Sequence, residues 1–130
     1  MDNKEIVTNF FYEGYTNKNY DYIREYVSEN YYDHSPANAR SNDDAVNILK
    51  IVAEQFSELK AEVVDVFSEN DMVAVRVQFE GIHTGTCMGV PATGKKINFE
   101  VLEYFKVENG KIVESWGYWP DKYIEQQLLA

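Results

Sequence analysis

The chain contains one cysteine, Cys87, among its 130 residues, so it cannot form an internal disulfide. That excludes a disulfide-stapled secreted scaffold and fits a reducing compartment. Proline is scarce too, with three residues, and no Pro- or Gly-rich stretch divides the sequence. Residues 1–130 are therefore read as a single domain, long enough to bury a real core. Basic residues are outnumbered, with 12 Lys and Arg against 22 Asp and Glu and a net charge of −10. A nucleic-acid binder needs a basic stripe to meet phosphates, and the only adjacent basic pair is Lys95-Lys96 beside a loop. Neither a nucleic acid nor an anionic membrane surface is expected as a partner. There are two histidines, His34 and His83, and with the acids they form no H-x-H or H-x-x-x-H spacing, so no metal site is expected. No apolar run is long enough to span a bilayer, and the opening MDNKEIVTNFFYEGY lacks the basic start of a signal peptide. A cytoplasmic location is the expectation.

Aromatic residues, in contrast, are abundant at 15%, including ten Tyr and seven Phe. Many of them fall in KKINFEVLEYFKVENGKIVESWGYWPD, residues 95–121. Asn109-Gly110 inside it is a strong hairpin signal, because both residues tolerate the positive φ of a tight type I′ turn. With these two as the loop, Val107 faces Ile112, Phe105 faces Glu114, Glu103 faces Trp116 and Val101 faces Tyr118. Side chains alternate along a strand. One face then collects Ile97, Phe99, Val101, Phe105, Val107, Ile112, Trp116 and Tyr118, together with the carboxylates Glu103 and Glu114. Acids on an apolar face mark a pocket more often than a packed core.

Upstream, Ile6, Val7, Phe10, Phe11 and Tyr15 recur at helical spacing over residues 3–17, with Asp2 or Asn3 as cap. A second helix is expected over 20–29, and a short extended segment over 30–36. A third helix starts after Ser41 or Asn42, with Asp43 and Asp44 in its first turn and a stripe of Ala45, Val46, Leu49, Val52, Ala53 and Phe56. The period then changes: strands are expected over 62–68 and 72–80, the second continuing past a glycine bulge at Gly81. Residues 122–130 suit a short closing helix. Three helices followed by four mainly antiparallel strands is an α+β layout. A strongly bent sheet wrapped against helices makes a cone with a cavity between its layers.

Several residues stand out as candidates for chemistry. Glu103 reads as a desolvated general base, or else as a rim acid paired with a cation. His34, after two tyrosines and an Asp and just before Pro36, reads as a group at the cavity mouth that binds a substrate oxygen, or as a plain loop histidine. His83 continues the Val73–Phe79 face if no bulge intervenes. Trp116, Tyr118, Phe99, Phe105 and the pair Tyr31 and Tyr32 read as cavity lining or as ordinary core. Cys87 has no activating partner, Ser35 and Ser115 lack a nucleophile-elbow context, and residues 89–95 are not a phosphate loop.

Taken in order, Tyr32-Asp33-His34, the G-x-H-x-G of Gly81 to Gly85, the P-x-T-G-K of Pro91 to Lys95, Asn109 to Ile112 and the E-x-W of Glu114 to Trp116 resemble the SnoaL-like polyketide cyclase, or ester cyclase, branch of the NTF2-like superfamily. The resemblance implies a cone-shaped, cystatin-like α+β barrel, a homodimer, a small apolar pocket and no metal or organic cofactor. It also implies ring closure by intramolecular aldol condensation, with an acidic side chain as acid/base. That acid follows the E-x-W segment by about four residues in the family; here that position is Pro120, and Asp121 comes next. Asp121 is the residue the resemblance selects.

Two functions are in view. One is a cofactor-independent cyclase, isomerase or lyase that moves protons on a small hydrophobic carbonyl compound through Asp121, Glu103 and His34. The other is a non-catalytic module that binds a small ligand or dimerises.

Overall fold

The computed structural model describes all of residues 1–130. Helix α1 spans Asn3–Phe11, and the Asp2 carboxylate caps it by accepting the Glu5 N–H at 2.9 Å. The chain then widens into a π-helical turn over Tyr12–Thr16, which buries Gly14 and Tyr15. Helix α2 covers Tyr20–Tyr26 and stops sooner than expected. Val27, which falls within the helix expected over 20–29, instead takes extended backbone and opens strand β1, Val27–Asp33; β-branching favours that geometry. Helix α3, Asn42–Gln55, is capped by Ser41, whose hydroxyl accepts the Asp44 N–H at 3.0 Å. Helix α4, Asp121–Leu129, closes the chain. No helix is long and apolar enough to cross a membrane.

Strands β2 (Phe56–Glu69), β3 (Met72–His83), β4 (Lys96–Glu108) and β5 (Lys111–Tyr118) complete a five-stranded sheet in the order β1-β5-β4-β3-β2. β1 runs parallel to β5, and every other neighbouring pair is antiparallel. The expected short extended segment is thus a full edge strand. β2 starts at Phe56, a residue expected on the stripe of α3. There the Gln55 carbonyl is taken by the Thr84 and Gly85 N–H groups, each at 3.1 Å, which ends the helix. β3 pairs with β4 without interruption from Met72 to Ile82, so there is no bulge at Gly81; the irregularities lie in β2 instead.

The concave face holds the core. Val73, Val75, Val77 and Phe79 of β3 and Ile97, Phe99, Val101 and Phe105 of β4 are all buried. α1 packs onto them through Phe10 and Phe11, which lie 5.6 and 5.7 Å from Phe105. Each such side chain contributes about 1.5–3 kcal/mol by leaving water. Beyond the end of β5, the first residues of β4 have no strand partner on that side. The Gln127 side chain of α4 closes the gap by bonding both the N–H and the carbonyl of Asn98, at 3.1 and 2.7 Å.

The hairpin turn forms as expected, with Asn109 and Gly110 at φ 52° and 76°. The register beyond it is different. Val107 pairs with Ile112, but Lys106 then pairs with Glu114, leaving Val113 as an extra residue in β5. A bulge of this kind reverses which side chains face inward. Ser115 and Gly117 therefore face the concave side, while Glu114, Trp116 and Tyr118 turn to the outer face, opposite the expectation. Glu103 pairs with Gly117, not Trp116.

Candidate active site

A cavity of about 330 Å³ lies between α3 and the concave side of β1, β5 and β4. Ala45, Ile48, Leu49 and Val52 of α3 form its apolar wall. Phe10 and Tyr15 close it from α1 and the π-helical turn. Pro36, Ala37, Tyr118 and Asp121 line it and are exposed, so they mark the opening.

Glu103 lies inside. Its side chain runs across β5 above Gly117, where a Cβ atom would come within 2.5 Å of the Glu103 Cγ and Cδ. Trp119 Nε1–H donates to Glu103 Oε1 at 2.8 Å and is its hydrogen-bond donor. Burial pushes the Glu103 carboxyl up to about 7; the charge of Asp33 adds to the rise, and the Trp119 hydrogen bond opposes it. Glu103 is only partly inaccessible to solvent, because part of its surface opens into the cavity it lines.

Asp33, 7% exposed, is the second inward carboxylate. It accepts hydrogen bonds from the Ser35 N–H at 2.8 Å, the Ser35 hydroxyl at 2.7 Å and the Ser115 hydroxyl at 3.4 Å. Ser115 in turn accepts from the Tyr31 hydroxyl, giving a directed chain from Tyr31 through Ser115 to Asp33. Burial raises Tyr31 well above the usual phenol range, and the charge of Asp33 adds to it. Tyr15 is raised too, first by burial and then by the charges of Glu103, Tyr31 and Asp33. Its hydroxyl makes no hydrogen bond within the protein and is not sealed off from solvent, so it opens into the cavity it lines. One base of raised proton affinity and one unpartnered donor thus face the same small, apolar space.

Residues 5–128 match the family described as SnoaL-like polyketide cyclase. The chain belongs to that family. Solved structures agree in fold. IdmH from Streptomyces antibioticus, provisionally assigned as a polyketide cyclase, superposes with a TM-score of 0.88 at 23% identity over 100% of both chains. A provisionally assigned SnoaL-like polyketide cyclase from Jannaschia sp. CCS1 gives 0.88 at 23% identity, covering 98% of this chain and 92% of that one. AclR from Streptomyces galilaeus, provisionally assigned as a hydroxylase, gives 0.85 at 25% identity, over 97% of this chain and 80% of its own. No curated protein matches the sequence.

In this SnoaL-like cone the candidates separate. Glu103 lines the cavity and Asp121, the first residue of α4, stands at its opening. His34 does not join them. Tyr31 and Asp33 point inward along β1, so Tyr32 and His34 point outward. His34 Nε2 is 2.7 Å from Glu114 Oε2, and its ring stacks on Trp116 at 4.6 Å. Trp116 stacks on Tyr104 at 4.8 Å, and Arg40 sits 3.7 Å over the Tyr32 ring. Tyr32, His34 and Trp116 therefore form an outer stack, not cavity lining. Tyr118 is 68% exposed and touches only the cavity opening. Phe99 and Phe105 are buried core behind the cavity, not its lining. His83 does lie on the concave face and is fully buried, but next to Phe56 at 6.0 Å and outside the cavity. Its Nδ1 accepts the Thr93 N–H at 3.2 Å.

Tyr31, read with Tyr32 as lining or core, does line the cavity; Tyr15, Asp33, Ser115 and Trp119 were not selected from the sequence. The parity that Asp33 shares with Tyr31 at the end of β1 could have found it. Ser115 and Trp119 were hidden by the bulge.

Proposed function

We propose that this protein is a cofactor-independent acid/base enzyme, of cyclase, isomerase or lyase type, acting on a small hydrophobic carbonyl compound held in the cavity. The observation that carries this is the Glu103 carboxyl, held by one indole N–H inside a largely apolar cavity, where burial pushes it up to about 7. A base works best when its proton affinity lies near the operating pH. Glu103 takes the proton from the carbon next to the substrate carbonyl. The Tyr15 hydroxyl donates to the oxygen as it becomes an enolate, a charge that a preorganised donor stabilises in a water-poor site. The enolate carbon then attacks a second carbonyl, whose oxygen takes the proton back from Glu103 as the new bond forms, or the enolate is reprotonated by Glu103 at another carbon. Asp33 raises the proton affinity of Glu103 and orients Ser115 and Tyr31. Asp121, at the opening, serves as the family acid/base only if substrate bridges from it to Glu103.

The test is hydrogen–deuterium exchange at the α carbon of small hydrophobic ketones and β-keto esters in D₂O, followed by proton NMR. Exchange should rise with pH and reach half its plateau near pH 7. Glu103→Gln should slow it by about 10²–10⁴-fold. Equal exchange in Glu103→Gln and the parent protein refutes the assignment, and absence of exchange with correct ligand binding favours the binding-module reading.

A further inference from the structure

Gly117 has ordinary strand backbone; among the glycines, only Gly89, Gly94 and Gly110 have positive φ. Nothing in its conformation requires glycine. The requirement is space: a Cβ there would stand 2.5 Å from both Cγ and Cδ of Glu103 and 2.7 Å from Oε1. Those are three atoms of one side chain, including the carboxyl carbon itself. The carboxylate of Glu103 thus does not stand over its own strand. It lies over β5, in the volume that a side chain at position 117 would fill, and Trp119, just past the end of β5, reaches back to hold it.

We infer that Gly117 is a positioning residue for the cavity acid, and that positions 103 and 117 share one carboxylate slot that either strand can fill. Two consequences follow. Any side chain at position 117 expels Glu103 from beside Trp119. Conversely, an aspartate at position 117 places its carboxyl, one bond beyond Cβ, where the Glu103 carboxyl now sits, provided residue 103 is shortened to make room. The inference gives the proposed base its position, and it rests on that reading only for its functional meaning.

The experiment uses the Trp119 indole N–H as the reporter, read by ¹⁵N–¹H NMR across pH 4 to 9, and needs no turnover. The parent protein should show an indole shift with a midpoint near 7. Gly117→Ala should abolish that shift while leaving circular dichroism unchanged. Glu103→Ala should abolish it as well. The double variant Glu103→Ala with Gly117→Asp should restore it, with a midpoint above the ordinary carboxylate value of about 4. An indole that still titrates in Gly117→Ala, or a folded double variant that behaves like Glu103→Ala, overturns the shared slot. A restored titration without α-proton exchange leaves the slot standing and removes the proposed chemistry, so the two failures are distinguishable.

Discussion

Replacing Glu103 by Gln should change how stability depends on pH, and by an amount the structure sets. In the folded protein the carboxyl keeps its proton up to about 7, whereas an unperturbed one releases it at 4.5. Between those values the unfolded state binds fewer protons than the folded state, so stability falls as pH rises. The loss begins near pH 4.5 and is complete about one unit above 7. Its full size is about 3 kcal/mol, or about 2–3 kcal/mol once water entering the cavity screens part of the charge. Glu103→Gln keeps an oxygen for the Trp119 N–H and has no proton to lose. Urea unfolding of both proteins at pH 5, 6, 7, 8 and 9 isolates the difference, because every other titrating group is common to the two. The variant should gain on the parent by up to about 1.4 kcal/mol per pH unit between about pH 5 and 7, and then level off. In melting temperature the plateau corresponds to about 3–4 °C per kcal/mol for a chain of this length. Parallel stability curves from pH 5 to 9 would refute the buried-carboxyl reasoning, whatever the enzyme does.

Asp33→Asn should lower the Glu103 midpoint, and Trp119→Phe should raise it above about 7, because one removes a repelling charge and the other a stabilising donor; indole or carboxyl NMR titration reads the first, and ¹³C-carboxyl titration reads the second. Gly85→Ala should destabilise by about 2 kcal/mol or more in urea unfolding, since a Cβ there would stand within van der Waals overlap, 2.1 Å, of the Glu54 carbonyl oxygen. The outer sheet face exposes Leu102 at 66%, Tyr104 at 44% and Tyr118 at 68%, a patch that suits a second copy of the chain. Sedimentation should give twice the 15.1 kDa chain mass, and Leu102→Asp should give the single mass; a parent protein that sediments at one chain mass rules the dimer out.

The period of the sequence revealed the layers. Helical spacing located α1, α2 and α3, and alternation located β3 and β4 with the correct face inward. The Asn109-Gly110 turn was visible because its backbone demand is strict. Glu103 was visible as well, since β4 has no irregularity between the turn and that residue apart from the slip in its partner. What could not be read was that slip. Val113 is an unremarkable strand residue, and nothing local in Ile112-Val113-Glu114 announces an unpaired position. Every assignment on β5 beyond it was therefore inverted, and Ser115 and Trp119 were lost from the site. His34 failed for a different reason. It directly follows a strand that pairs in parallel with β5, and its side chain meets Glu114, 80 residues away in sequence, a contact that local pattern cannot supply. Asp33, one residue before it, is the inward group.

The extra residue at Val113 lets one strand have two settings. Deleting that valine would straighten β5 and leave every later partner in place, because Phe105 with Ser115 and Glu103 with Gly117 already continue the ladder from Val107 and Ile112. Pairing Val113 with Lys106 would do the opposite: each later residue would move up by one, and Trp116 would come to stand against Glu103, an indole where there is now a gap. The make-up of one wall thus rests on whether a single strand residue is counted or skipped.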